Sequence, residues 1–289
     1  MSTRDEIDIS ICICARNRPD ELGRALASVL RSSLAPKQIV VSDDSDDDRV
    51  AALVSDHPLP ITYTRGPRSG LGANRNNAIS LAVGEHLLFL DDDACLGEDF
   101  LSTMAFCLLK YPSERRARMI VTGIETQDNR PILPRDQGFL GFQSRKYRQN
   151  EPMRTVVINA ALFPRSLFDK VGFDPSLIYG YDEVDITTQA VALGFTITPC
   201  FDAANSHYPS STGRDEYRPY IQASRLYVTL KRRRWTEGSW LRGWGGFWLG
   251  AGHVYLAGIK RGGLSGVGDA RRSVARALSY YTTFVESKG

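Results

Sequence analysis

The sequence predicts an α/β fold: a mostly parallel sheet flanked by helices, followed by a C-terminal helical appendage. Three observations carry this. Over the first two hundred residues, apolar runs of strand length alternate with segments of helical spacing, the order that builds βαβ units. Several of those runs are apolar on both faces, as strands covered on both sides must be. From about Tyr217 the texture turns basic and aromatic with helical spacing. The 289 residues, 42% apolar and 24% charged, suffice for one large core or two unequal ones and exclude disorder and collagen-like repetition.

Ile7, Ile9, Ile11 and Ile13 share one side of an extended run, with Asp8, Ser10, Cys12 and Cys14 on the other, so the run is a strand entering a sheet. Pro19 then sits where a first helical position tolerates it, and Leu22, Leu26, Val29 and Leu30 repeat at helical spacing. Strands follow over 38–41, 61–64 and 86–90, with helices over 46–54 and 71–83 between them. Further on, 97–110 reads as a helix, 119–123 and 155–163 as strands, and 195–199 as a β-like run. The polar stretch 127–152, rich in Pro and Arg, is too long for a plain connection and is expected to be a functional excursion. A basic segment at 225–234 precedes all four tryptophans, many glycines and a final amphipathic helix near 271–285. The division expected is a catalytic domain over 1–216 and a basic, aromatic helical extension over 217–289.

Thirty-six Lys and Arg against 33 Asp and Glu leave a net charge of +3, too weak a field to argue for nucleic acid. The five cysteines are odd in number and widely spread, and the first residues lack the apolar stretch of a secretory signal, so a reduced, cytoplasmic protein is expected. Cys12 and Cys14 have no second pair at zinc spacing and read as small buried hydrophobes. No stretch reaches the roughly 20 apolar residues of a membrane span.

Ligands of open α/β sheets collect beyond the carboxyl ends of the strands, and here those ends carry acids. The second strand finishes in Ser42-Asp43-Asp44-Ser45, and the strand over 86–90 finishes in Asp91-Asp92-Asp93. Three adjacent carboxylates repel one another unless a cation or hydrogen-bond donors neutralise them. Mg²⁺ or Mn²⁺ suits such oxygens, taking one or two carboxylates and completing its shell with substrate phosphates. The loop and helix start at 70–78 has neither Walker nor dinucleotide-fingerprint spacing. Arg75, one turn inside that helix, is either a surface charge or a group reaching a diphosphate.

These segments together resemble glycosyltransferase family 2, with its GT-A fold. Ile9 to Arg18 resembles the family's first strand with its Asn-Arg turn, Val41 to Asp48 its nucleotide-contacting Asp-Asp segment, and Leu71 to Ala78 its Ala-Arg-Asn helix. Leu90 to Ala94 resembles the Asp-x-Asp signature. Residues 161–174 resemble the strand and loop before the catalytic acid, and 179–186 stand where the family has Glu-Asp-x-Asp. The resemblance implies a sugar-nucleotide donor whose base meets Asp44, supported by Asp43 and flanked by Ala15, Arg16, Asn17 and Arg18. It places Asp91 and Asp92 on the ribose side, Arg75 towards the diphosphate, and Asp93 on a bridging Mn²⁺ or Mg²⁺. Asp91 is a further candidate metal ligand, and His207 resembles the late histidine that completes the metal shell. UDP or dTDP is the nucleotide implied.

An acceptor hydroxyl needs a general base. Register against Glu-Asp-x-Asp puts Asp182 on the family's Glu and Glu183 on its catalytic Asp. Glu183 is the first choice and Asp182 the alternative; capping of a helix over 183–193 is the bland reading of the pair. Gln189 stands where many relatives carry Arg. Lys231-Arg232-Arg233-Arg234-Trp235 resembles the Gln-x-x-Arg-Trp motif of processive members, with Lys231 replacing Gln. The expectation is therefore non-processive, inverting transfer to a hydroxyl of a glycan, lipid-linked sugar or small-molecule natural product.

The acceptor is expected against the excursion, where Arg135, Arg145, Lys146, Arg148, Phe139, Phe142 and Tyr147 mix charge with aromatic rings. The basic C-terminal region is read as a helical lid, an anionic-membrane contact or a homodimer surface. Two alternatives compete with transfer. One is a haloacid-dehalogenase-type phosphatase built on Asp91-x-Asp93, although Cys95 stands where Thr or Val is wanted. The other is a catalytically inactive sugar-nucleotide binder.

Overall fold

The computed structural model describes residues 7–209 and 214–288. The amino-terminal half runs β1 (Ile9–Ala15), α1 (Pro19–Leu30), β2 (Gln38–Asp43), α2 (Arg49–Ser55), β3 (Ile61–Arg65), α3 (Leu71–Leu81) and β4 (His86–Asp91). Every residue of β1 is buried, which is why its pattern lacks a polar face. Then come β5 (Ala94–Cys95), α4 (Phe100–Leu109), α5 (Ser113–Arg116), β6 (Met119–Gln127), β7 (Arg130–Ile132), β8 (Asp136–Gln137) and β9 (Gln143–Arg145). The chain closes with β10 (Ala161–Pro164), α6 (Asp182–Ala192), β11 (Thr196–His207), α7 (Arg214–Lys231), a π turn at Arg232–Thr236 and α8 (Trp240–Glu286).

The main sheet is ordered β3-β2-β1-β4-β10-β6-β11-β5, with β7 on β6. It is parallel through β3, β2, β1 and β4, as the alternating pattern predicts. In the other half β10 runs antiparallel to both β4 and β6, and β11 is parallel to β6 but antiparallel to β5. The α/β class holds; the sheet is mixed because β10 enters it without a crossover helix. The carboxyl ends of β1, β2 and β4 open on one edge.

Apolar clusters fill both faces. Leu22, Leu26, Val41, Leu90 and Met104 lie on one side. On the other, Phe89 meets Phe163, Phe168 and Phe173 edge-on at 5.0–5.6 Å between ring centroids. A third cluster joins α7 and α8 through Leu226, Tyr227, Phe247 and Tyr280, and includes Leu177 and Val184 from the catalytic layer. The C-terminal helices are therefore packed onto the sheet domain.

Four local readings change. Within 155–163 only Ala161–Pro164 pairs as strand; a tight turn at Ile158–Ala160 precedes it, and there Asn159 accepts the backbone N–H of Asp91 at 2.8 Å. The strand expected to end at 199 continues to His207. The final helix is longer than expected: Trp240–Glu286 doubles back at Gly262 and Gly263, the latter at φ 54° where a side chain would be strained. Finally, Cys107 of α4 and Cys200 of β11 form a disulfide, so the five cysteines are not all free thiols; their separation of 93 residues gave no local signal.

Candidate active site

The edge where β1, β2 and β4 end borders a cavity of about 680 Å³, lined among others by Asn17, Arg18, Asp44, Asp92, Asp93 and His207. Ala15, Arg16 and Asp91 also line it, so most of the residues expected at a donor site converge. Asp43 lies behind this wall, fully buried, accepting from Tyr63 Oη at 2.7 Å, Arg65 Nη1 at 2.9 Å and the backbone of Ser45 at 2.8 Å. It braces the loop, and its neighbour Asp44 faces the cavity. Burial raises the carboxyl pKa of Asp44, against a hydrogen bond from the backbone of Arg68. A Cβ on Gly66 would collide with the carboxylate of Asp44 and the amide of Asn74, so glycine there lets the two groups approach.

The acidic triplet divides its partners. Asp91 Oδ1 accepts from Arg75 Nη2 at 2.9 Å. Asp92 accepts from the backbone of Arg16 at 3.2 Å and from Arg18 Nη1 at 3.3 Å; burial pushes its carboxyl up to about 7. Asp93 accepts from the same Arg18 nitrogen at 2.9 Å and lies 3.2 Å from His207 Nε2. Burial would raise Asp93, but His207 and Arg18 outweigh it and hold the carboxyl below its usual range. His207 reaches this point because β11 pairs with β5, setting His207 opposite Ala94. Its Nδ1 lies 2.5 Å from Glu125 Oε1. Burial pulls the imidazole down, yet Asp93 and Glu125 raise it to about 10.

Asp93 and His207 thus offer a carboxylate and an imidazole to the same cavity. No group of three or more His, Cys, Asp or Glu arranged to hold a metal occurs among the described residues. Two protein donors fit a cation whose shell is completed by water and diphosphate oxygens. Asp91, the further candidate ligand, lines the same cavity and is paired with Arg75.

Arg75 is 2% exposed, so the surface-charge reading of it fails. Its Nη1 pairs with Asp182 at the start of α6 while Nη2 holds Asp91. Asp185, one turn into α6, and Asp174 both accept from Lys231 Nζ, at 2.8 and 2.7 Å. Of the three acids that open α6, Asp182 and Asp185 are tied to buried cations. Glu183, half-buried, takes a hydrogen bond from the Gln143 side chain, and burial raises its pKa. Arg75, Asp182 and Glu183 are not among the cavity's lining residues.

Sequence reasoning missed several participants. Asn74 lines the cavity and binds the backbone of Ser42 at 3.1 Å. Tyr179 and Tyr217 add a pair of rings to its wall, 4.8 Å apart. Glu125 lies beyond the expected end of its strand, and only the length of β6 exposes it. The excursion is folded rather than loose: Arg232 binds Asp136 at 2.7 Å, Gln137 reaches Thr229 at 3.2 Å and Arg233 reaches the Phe139 carbonyl at 2.5 Å. Several of its groups are occupied internally. Arg145 is held by Asp136 and Glu151, Tyr147 bonds Thr155, and Phe142 lies beneath Arg225.

A mixed sheet with acids gathered at its strand ends, backed by an arginine-bridged pair of carboxylates, marks an α/β protein with a polar ligand cavity. The family model for glycosyl transferase family 2 matches residues 10–172, more than half of the chain, and the chain belongs to that family. It is accordingly a glycosyltransferase. The galactofuranosyltransferase GlfT1 of Mycolicibacterium smegmatis is 26% identical over 235 residues, covering 76% of each chain. A GalNAc(5)-diNAcBac-PP-undecaprenol β-1,3-glucosyltransferase of Campylobacter jejuni is 30% identical over 101 residues, 33% of each. Among solved structures, GalNAc-T7 with UDP, GalNAc and Mn²⁺ aligns at a TM-score of 0.64 and 13% identity, over 82% of this chain and 50% of that one. Mannosyltransferase PcManGT of Pyrobaculum calidifontis with GDP-Man and Mn²⁺ gives 0.60 and 17%, over 96% and 83%. These two likenesses establish the fold.

Proposed function

We propose that this enzyme moves a sugar from a nucleoside-diphosphate donor to a hydroxyl acceptor with inversion, assisted by Mn²⁺ or Mg²⁺. The observation that carries the reading is the convergence of Asp44, Asp91, Asp92, Asp93, Arg18 and His207 on one cavity. Asp44 suits a nucleobase donor group, and Asp91 and Asp92 suit ribose hydroxyls. Asp93 and His207 would hold the cation, which when bound neutralises charge on the diphosphate. UDP or dTDP is the nucleotide preferred. The structural relatives carry UDP in one case and GDP-Man in the other, so a guanine nucleotide belongs in the same test.

Glu183 is the proposed base. It takes the proton from the acceptor hydroxyl as that oxygen attacks the anomeric carbon, while the bond to the diphosphate breaks and the nucleoside diphosphate leaves. One direct displacement inverts configuration. Support comes from the pairing pattern: Asp182 is bound to Arg75 and Asp185 to Lys231, whereas Glu183 takes a hydrogen bond from the neutral Gln143 amide. Gln143 belongs to the excursion, which supports the expectation that the acceptor lies against that segment. Lys231, in place of Gln, pairs with Asp174 and Asp185, which is in keeping with non-processive transfer.

The phosphatase alternative finds no support, since Asp91, which would be its nucleophile, is bound to Arg75. The inactive-binder alternative is separated by one assay. Purified protein is offered UDP-, dTDP- and GDP-sugars with Mn²⁺, Mg²⁺ or EDTA, and nucleoside diphosphate release is followed. Cation-dependent release from one nucleotide class is expected; binding without release for every donor would favour the inactive binder.

A further inference from the structure

Seven of the 21 large apolar side chains that stand exposed among the described residues fall within 240–264, a density that scattered surface residues do not reach. They are ordered. On the first leg of α8, Gly243, Gly246, Phe247, Gly250, Ala251 and Val254 face the core. At 100° per residue, Leu241, Trp248, Leu256 and Ile259 fall on the opposite side, flanked by Leu249, and Trp240 stands exposed at the start of the helix. These six side chains are 52–77% exposed, and Leu264, just past the bend, is 92% exposed. The strip extends over about 30 Å of helix.

Charge accompanies it. Residues 240–289 hold seven Lys and Arg against two Asp and Glu, whereas the whole chain is only +3. Arg242 and Lys260 lie along one margin of the strip, and Arg261 closes its end. No described helix is long and apolar enough to cross a membrane. An apolar face carrying Trp and Leu, edged by cations and unable to span, is the pattern of a helix lying in a lipid headgroup layer.

We infer that the outer face of α8, from Trp240 to Leu264, docks on the surface of an anionic lipid bilayer. Charge complementarity selects this occupant: a second copy would set the cations along the strip against their own kind, whereas acidic headgroups neutralise them. The surface is connected to the catalytic layer. His253 packs on Phe142 at 5.2 Å between ring centroids, in the excursion whose Gln143 binds Glu183. The docking is independent of the proposed donor chemistry.

The test is flotation of the full chain with vesicles of phosphatidylcholine alone and of phosphatidylcholine mixed with phosphatidylglycerol. Wild type should float with the mixed vesicles and not with the neutral ones, and added salt should weaken it. Replacing the exposed Trp248→Glu and Leu256→Glu together should abolish flotation with unchanged circular dichroism and nucleotide affinity. Lys260→Gln with Arg261→Gln should weaken partitioning roughly thirtyfold. Wild type that stays in solution with both vesicle types overturns the inference. So does a wild-type dimer, by light scattering, that the double Glu variant converts to monomer without any effect of vesicles.

Discussion

The Arg75 guanidinium joins Asp182 at the start of α6 to Asp91 at the end of β4. One buried cation therefore fixes the distance between the donor-side acids and the helix that carries the proposed base. Replacing it strands the buried carboxylate of Asp182 and takes the partner from Asp91 on the cavity wall. Arg75→Met should cost about 3–5 kcal/mol, read from the urea midpoint at constant slope; a loss below about 1 kcal/mol would mean the pair is dispensable.

Asp93→Asn should leave the fold intact and remove the cation dependence of nucleotide binding, because it takes one of two protein donors from the proposed metal position. Calorimetric titration of UDP, GDP and dTDP with Mn²⁺, Mg²⁺ or EDTA measures it. Wild-type affinity that is equal in EDTA for every nucleotide would refute a metal-bridged diphosphate.

Glu183→Gln should lower turnover by roughly 10² to 10⁴ with donor affinity nearly unchanged. Asp182→Asn should instead act through Arg75, lowering stability as well as rate. If the Asp182 variant is folded but inactive and the Glu183 variant is active, the base is Asp182. A product that keeps the donor's anomeric configuration would reject direct displacement.

The pH profile tests the same residue by another route. Glu183 acts deprotonated, and burial raises its pKa, so kcat/KM should climb with pH through a value above the ordinary ~4.3 of Glu. The Gln143 hydrogen bond favours the charged form and partly offsets burial. Gln143→Leu should therefore move the acidic limb to still higher pH, while a limb that stays in place would separate the base from Gln143.

Asp136 is 2% exposed and clamps the excursion by accepting from Arg232 at 2.7 Å and Arg145 at 2.6 Å. Asp136→Asn should loosen that segment and raise the acceptor KM several-fold while sparing donor affinity. Unchanged acceptor kinetics in the folded variant would place the acceptor elsewhere.

The sequence by itself determined the alternation of strands and helices, the burial of β1 on both faces, and the placement of Asp43, Asp44 and Asp91 to Asp93 at strand ends. Each is a local property: side-chain period, turn chemistry and the position of an acid relative to an apolar run survive in any short window. The nearness of His207 to Asp93, the Arg75 bridge to Asp182, the Lys231 pair with Asp174 and Asp185, and the contact of Gln143 with Glu183 were decided only by the tertiary structure. So were the disulfide between Cys107 and Cys200 and the outward strip of α8. The pairs named join residues from 40 to 114 positions apart. Such partners depend on sheet register and helix packing, for which no short window carries a signal: a one-residue shift in the β11–β5 pairing would turn His207 to the other face and leave the local pattern of both strands unchanged.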